Sequence, residues 1–404
     1  MRRCLHLLAL ALSLAAYSAT CQDADEVIPQ RGTGTVFLLG LDKFQLFDTD
    51  KFGGPLVWLT DDWLLTRNKE NGAGVYDAVT DTLLAHLRWE HDPEKERYFD
   101  VRENREMRTY VSVEQAFLAD NGSRLVTFHG NGMIRIWKTK DWMLEKAIES
   151  DLFRKGLFTH AEVTPDRKYI YLAIDWDDKK LRKGFLDWRT GKLVNLGAPP
   201  CVLGFSRSGN YAMALEDGLL QIYSYPDWRL VAQTRALQRY GVNNYGVGPV
   251  IWFGTSDEEL VLGRHWGDPK EEPKVWFVCV YNWAKEKEIF YRSGEGSLSW
   301  PVFSSHGPTK YTPPVLIENR LAIFKAIKPK EDRCPGWMLI DFKEPFPGQE
   351  FALPKPWSLT SFQLSPKAKR VFIYIQRDSG KHNKVFLGEI PLEWHATAAE
   401  LNRP

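Results

Sequence analysis

The chain has 404 residues, with 53 Lys and Arg against 52 Asp and Glu, a balance that excludes a general basic field for nucleic acid. Its 16 Trp and 13% aromatic content suit a β protein whose sheets pack face to face. Beyond the N-terminus no apolar run approaches the ~20 residues of a membrane-spanning helix, so no transmembrane segment is expected.

Met1-Arg-Arg3, an apolar run from Cys4 to Ala16 and small or polar residues up to Gln22 have the layout of a secretory signal peptide over 1–22. Cleavage is expected between Ala19 and Asp23, giving a periplasmic or extracellular mature chain over 23–404. If the host is bacterial, Cys21 is a conceivable lipid anchor, but Ser18-Ala19-Thr20 lacks the usual aliphatic residue and simple export is the favoured reading. Besides Cys21, the mature chain holds Cys201, Cys279 and Cys334, without CxxC or His at zinc spacing. One disulfide is allowed in an oxidising compartment, and Cys279, within Val275-Trp-Phe-Val-Cys-Val280, reads as a core residue.

Period-two alternation recurs along the mature chain, broken by Gly, Asp, Asn and Pro turns. A first unit spans Pro55 to Trp89, with Gly74-Val-Tyr-Asp77 as its third strand. The clearest unit follows. Gln115 to Phe128 is broken by Asp120-Asn-Gly122, then His129-Gly-Asn-Gly132 turns into Met133-Ile-Arg-Ile-Trp137, and Met143 to Ile148 supplies a fourth strand. His160–Ala173 and Gly184–Trp188 repeat the pattern, as do Val202–Leu215 and Leu220–Tyr223. Val278–Tyr281 and Trp337–Asp341 read as third strands of a fifth and a sixth, degenerate unit. Ser361–Ile375 and Lys384–Ile390 form the last. Ile134-Arg-Ile-Trp-Lys-Thr-Lys-Asp-Trp-Met-Leu144 and Leu220-Gln-Ile-Tyr-Ser-Tyr-Pro-Asp-Trp-Arg-Leu230 are near-copies, spaced by about twice the ~40–45-residue period of a four-stranded blade. In both, a tight turn opened by Asp141 or Asp227 is expected.

The Phe-Ser-x-x-Gly-x-Tyr and Ile-Arg-Ile-Trp elements resemble tryptophan-aspartate (WD40) repeat propellers, and Thr190-Gly191-Lys192 after Asp187 is similar to quinoprotein-type repeats. The resemblance is divergent: the Gly-His pair that opens most such repeats is missing, and no buried Asp-His-Ser/Thr-Trp network is expected. It implies an all-β fold, a seven-bladed β-propeller of four-stranded antiparallel blades, with eight blades as the alternative. The blades fall at about 55–90, 113–150, 158–195, 200–236, 246–292, 300–352 and 356–393. The last has three strands of its own, so an N-terminal strand within 34–48, either Gly34–Leu39 or Lys43–Phe47, is expected to complete it and close the ring.

No catalytic, cofactor or metal residue emerges. Gly204-Phe-Ser206-Arg-Ser208-Gly209 lacks the final Gly of a nucleophile elbow and leads into a strand. The nine His show neither His-x-His nor His-Glu-x-x-His spacing, and His86, His129 and His160 read as structural. Asp175-Trp-Asp-Asp178 runs into Lys179-Lys180 and reads as a solvated loop rather than a calcium site. Asn121-Gly-Ser123 is a glycosylation sequon whose first reading is a turn.

Propellers carry function in their loops. Long loops are read at Asp175–Lys183, Arg264–Lys274, Lys325–Gly336 and Arg377–Lys384, and long blade connections at Glu90–Ser112, Arg235–Gly248 and Ser293–Pro314. All emerge on one face, which carries Tyr98, Trp176, Tyr240, Tyr245, His265 and Trp266, a composition suited to a protein or glycan partner. The expectation is an exported, non-catalytic binding scaffold. The alternatives are a hydrolase or lyase with a central-channel site, and an envelope-assembly lipoprotein.

Overall fold

The computed structural model describes residues 45–47, 55–68, 72–89, 97–100, 105–108, 113–153, 157–175, 181–199, 202–216, 219–235, 238, 250–254, 256–264, 275–295, 297–299, 315–317, 320–326, 333–341, 350–354, 358–365, 367, 369–377 and 382–389. Among these the regular elements are strands, apart from one 3-10 turn at Asp120–Gly122. The segments 1–22 and 34–44 lie outside them.

Strand β1 (Gln45–Phe47) precedes the first blade, which is built from β2 (Pro55–Trp58), β3 (Trp63–Asn68), β4 (Gly72–Asp77) and β5 (Thr82–Arg88). A separate ribbon, β6 (Arg97–Asp100) and β7 (Arg105–Arg108), lies in the connection to the second blade. That blade holds β8 (Val113–Ala119), β9 (Arg124–His129), β10 (Met133–Lys138) and β11 (Leu144–Glu149). The third holds β12 (Leu157–Val163), β13 (Tyr169–Asp175), β14 (Leu181–Asp187) and β15 (Lys192–Val194). The fourth holds β16 (Val202–Phe205), β17 (Tyr211–Glu216), β18 (Leu219–Ser224) and β19 (Leu230–Thr234). The fifth holds β20 (Val250–Phe253), β21 (Glu259–Arg264), β22 (Val275–Asn282) and β23 (Lys287–Glu295). Next come β24 (Ser297–Ser299), β25 (Val315–Ile317), β26 (Arg320–Ala326), β27 (Arg333–Asp341) and β28 (Glu350–Pro354). The last blade holds β29 (Ser358–Leu364), β30 (Arg370–Arg377) and β31 (His382–Glu389).

The expected count of seven blades, or eight, is corrected: the propeller has six blades of four antiparallel strands. The segment read as a degenerate four-stranded unit is instead a five-stranded sheet. Its β24 and β25 both pair with β26, through Ser297↔Ala326 to Ser299↔Phe324 and Val315↔Ala322 to Ile317↔Arg320. Residues 300–314 separate these short strands along one edge of β26, and alternation over 300–352 cannot register such a break.

The closing role given to the N-terminal strand is also set aside. β1 pairs with β31 from Gln45↔Leu387 to Phe47↔Val385, as the outer edge of the last blade. A seam between blades is made by sheet faces, not by an outer edge. The contacts joining the last blade to the first are Phe372 and Leu387 packed with Trp58, Leu64, Tyr76 and Ala78. They are reinforced by the Lys367 N–H donating to Asp61 Oδ1 (2.8 Å) and by Arg370, which donates to the Ala78 carbonyl (3.4 Å) and pairs with Asp62 (3.6 Å).

The core lies in these seams. Where successive residues are apolar, as at Leu64-Leu65 and Leu260-Val-Leu262, the sheet is apolar on both faces, and burying those faces between neighbours is the main stabilising term. Leu65, Val75 and Leu87 of the first blade pack with Val113, Leu118 and Leu125 of the second. Phe128, Ile134 and Ile148 of the second meet Ile170, Leu186 and Trp188 of the third. Tyr171 and Phe185 meet Val202 and Ala212 across the next seam, and Met213 and Ile222 meet Ile251, Leu262 and Cys279 across the one after. Cys279 is a buried free thiol, as its apolar setting implied.

Candidate functional site

Antiparallel strands place the turns from first to second and from third to fourth strand on one face. Second-to-third-strand loops and blade connections emerge on the other. The turn face is uniform. Each third-to-fourth-strand turn of the first five blades ends on a left-handed residue: Asp81 (φ 53°), Trp142 (57°), Gly191 (73°), Trp228 (53°) and Glu286 (50°). Where the turn closes, the N–H of that residue reaches back to a carbonyl, Trp142 to Lys138 (2.7 Å), Gly191 to Asp187 (2.8 Å) and Trp228 to Ser224 (2.9 Å).

The repeated Asp-Trp pair therefore does not open its turn. Asp141 caps it by accepting from the Met143 N–H (3.1 Å), and the Trp closes it in a backbone region that L-residues enter at a cost. Packing offsets that cost. Trp142 meets Trp63 of the first blade edge-on at 5.5 Å, and Trp228 meets Phe185 of the third at 5.4 Å. Both are seam residues.

The same face is tied from blade to blade. Asp120 accepts from Arg124 (2.8 Å) and from Arg189 of the third blade (3.5 Å). Arg167 donates to the Leu118 carbonyl (2.7 Å). The Tyr225 hydroxyl donates to Asp166 (2.9 Å), and Ser208 donates to Asp257 through both its hydroxyl and its N–H. Gly209 (φ 79°) has no room for a side chain, because a Cβ there would lie 2.5 Å from Pro165 of the neighbouring blade. Arg124 and Glu145 form a forked pair at 2.7 Å that holds the carboxyl below its usual range. The Tyr225 phenol is raised, chiefly by burial.

The opposite face is unequal. Its connections run from Arg88 to Val113 and Thr234 to Val250, and its strand-joining loops from Asp175 to Leu181 and Arg264 to Val275. The long blade connection expected at Ser293–Pro314 is not one, because β23 runs to Glu295, β24 starts at Ser297, and residues 300–314 interrupt the strand edge along β26. Of the six candidate residues, Tyr98 lies in β6, opposite Met107 of β7. Trp176, Tyr240, Tyr245, His265 and Trp266 lie outside the described residues. Trp176 follows the last residue of β13, and His265 and Trp266 follow the last residue of β21.

Beneath this face, between the first two blades, the structure holds a cluster that sequence reasoning missed. The Trp137 indole N–H donates to the fully buried Thr127 hydroxyl (3.1 Å), which lies 3.0 Å from His129 Nε2. The Trp89 ring meets His129 edge-on at 4.8 Å and lies under the Arg135 guanidinium at 5.2 Å. This is a Trp–Thr–His chain where a four-member Asp-His-Ser/Thr-Trp network was expected to be missing. Its signal is Thr127-Phe-His129, a period-two pair on one face of β9, beside Trp137 of β10, which pairs with Leu125, rather than a Gly-His pair ahead of the first strand. The turn beside it is fixed by Asn131, which accepts from the Met133 N–H (3.1 Å), and by the Ser150 hydroxyl donating to the Gly132 carbonyl (2.6 Å). His129 is thus held by packing and by the Thr127 hydroxyl, the setting of a structural histidine. Among the described residues no three of His, Cys, Asp and Glu gather at metal-binding distance.

No protein-family model matches the chain, and no curated protein is significantly similar to it. Among solved structures it is similar to one described as the crystal structure of a mitotic checkpoint complex. The two share 11% identity over 90% of this chain and 94% of the other, with a TM-score of 0.51. It is also similar to the β-propeller domain of Cps50 (Swd1) from Myceliophteria thermophila, at 9% identity over 86% of this chain and 100% of the other, with a TM-score of 0.49. At such identity the likeness is one of fold alone: the chain is a β-propeller, the fold that the resemblance of its Ile-Arg-Ile-Trp and Phe-Ser elements to WD40 repeats implied.

Proposed function

We propose that the chain is an exported, non-catalytic scaffold that grips a protein or glycan through the face bearing its long connections. By analogy of fold alone, a WD40-like propeller supports a binding or scaffolding role in general. The observation that carries the reading is the inequality of the two faces. One is made of short turns of repeated geometry, tied seam by seam. The other departs from the repeat at β5–β8, β13–β14, β19–β20 and β21–β22. Ordering extra chain costs about 1–2 kcal/mol per residue, so added length confined to one face is expected where it is used. The aromatic residues assigned to these connections are the types that anchor interfaces.

Export rests on the segment 1–22, and no helix among the described residues is long and apolar enough to cross a membrane. The test is a pull-down from the native envelope or extracellular fraction with the full chain and with the Trp176→Ala/Trp266→Ala double variant. Loss of the captured partner at unchanged melting temperature supports the reading. A folded double variant that still captures every partner overturns it. The mass of the mature N-terminus checks export separately, and a chain still beginning at Met1 refutes it.

A further inference from the structure

We propose that Asn121 is the acceptor of an N-linked glycan, an inference that rests on the export reading above. Asn121-Gly-Ser123 is the single Asn-x-Ser/Thr sequence in the chain. It occupies the tip of the β8–β9 hairpin, where Asn121 is exposed and left-handed (φ 56°, ψ 34°).

Every neighbour of Asn121 is engaged. The Asp120 carboxylate holds Arg124 and Arg189, and the Ser123 hydroxyl donates to the Asp120 carbonyl (2.8 Å). The Gly122 carbonyl accepts from the Thr139 hydroxyl (2.7 Å), and the Ser123 carbonyl accepts from the Thr139 N–H (3.0 Å). The turn is thus fixed without the Asn121 side chain, whose amide takes no part in the hydrogen bonds among the described residues.

The left-handed backbone favours Asn here but does not require it. The equivalent turn of the third blade places Arg167 in the left-handed region at φ 56°. Space is free as well, since a Cβ built on the adjacent Gly122 meets nothing within 4 Å. An exposed, unengaged amide with open space beside it is what a bulky polar modification requires.

In the transfer, Asn121 Nδ2 forms a bond to the anomeric carbon of an oligosaccharide carried on a lipid pyrophosphate. The bond from that carbon to the pyrophosphate oxygen breaks, the lipid pyrophosphate leaves with the electron pair, and one amide proton passes to a carboxylate of the transferase. Donor and transferase belong to the eukaryotic secretory route. The glycan projects from the tied turn face, so the face bearing the long connections stays uncovered.

The experiment expresses the full chain in a eukaryotic secretory host, with its own N-terminal segment and, in parallel, behind an established secretion signal. Expected is a gel shift removed by peptide N-glycosidase, a glycopeptide at Asn121 by mass spectrometry, loss of both in Asn121→Asp, and retention in Ser123→Thr. Asn121→Asp keeps a residue that tolerates the left-handed turn, so it separates loss of the acceptor from loss of fold. An unmodified Asn121 in the chain sent out by the established signal overturns the proposal. Modification there, but not behind the native segment, leaves the proposal standing and refutes only the export reading.

Discussion

The Trp142 ring meets the edge of Trp63 at a centroid separation of 5.5 Å, joining the second blade to the first through a residue whose φ of 57° is left-handed. Trp142→Ala removes the ring contact but keeps a Cβ in the costly region, and is expected to lower stability by about 2 kcal/mol, below the usual range for a fully buried Trp because this one is half-buried. Trp142→Gly loses the same contact and relieves the backbone. It should be no less stable than the Ala variant, the reverse of the usual order within sheets. Urea unfolding of the two variants side by side is the check, and an Ala variant clearly more stable than the Gly one refutes the account.

Thr127 is the hub of the buried chain beneath the face that carries the long connections. Thr127→Val keeps the shape but takes the acceptor from the Trp137 N–H and the hydroxyl from His129. A loss of about 2 kcal/mol is expected, because a buried donor stripped of its partner bears its desolvation cost. Thr127→Ser, which keeps the hydroxyl, should stay closer to the parent. Equal denaturant midpoints for Val and Ser would show that packing alone matters there.

Ser208 and Asp257 tie the fourth blade to the fifth through two hydrogen bonds to one carboxylate. Single substitutions to Ala are expected to be non-additive with each other, with a coupling of about 1 kcal/mol, modest because the pair is exposed. The double-mutant cycle measures this directly. A coupling of zero would mean that the seam is held by its apolar faces alone.

The Tyr225 phenol is raised above its ordinary value near 10.0, first by burial and also by the Asp166 carboxylate it donates to, against a smaller lowering by Thr164. An acid whose folded pKa is raised contributes stability that is fully present below the unfolded value and is lost as pH rises through the folded one. The chain should therefore lose stability above about pH 10, the unfolded tyrosine value, and Tyr225→Phe should flatten that decline. Unfolding midpoints against pH for both proteins decide it, and parallel alkaline profiles would sink the assignment.

Much of the fold was legible where alternation is clean. Met133–Trp137 and Leu220–Tyr223 are legible as third strands because Ile134 and Ile136, and Leu220 and Ile222, recur at period two and the turns carry Asp, Asn and Gly. The β6–β7 ribbon was read as loop because Arg97–Arg108 is dense in charge and shows no apolar period. The split into β24 and β25 was hidden for another reason: three-residue strands carry too few side chains to state a period. The buried chain through His129 was passed over because its partners are a strand apart, and pairing across strands is not written along a sequence. On the face with the long connections, the lengths between β5 and β8 and between β19 and β20 were legible, whereas Ser293–Pro314 was misread because strands as short as β24 and β25 look like loop. Tyr98 falls in a connection between blades, although as part of a strand.

Because β24 and β25 are each held by their own pairs with β26, the chain between them can lengthen or shorten without shifting the register on either side. This sheet is therefore the place where descendants of such a chain can gain or lose sequence at least expense to the ring. Other chains of this fold aligned to it residue by residue should fall out of step between Ser299 and Val315, then return to step at Arg320.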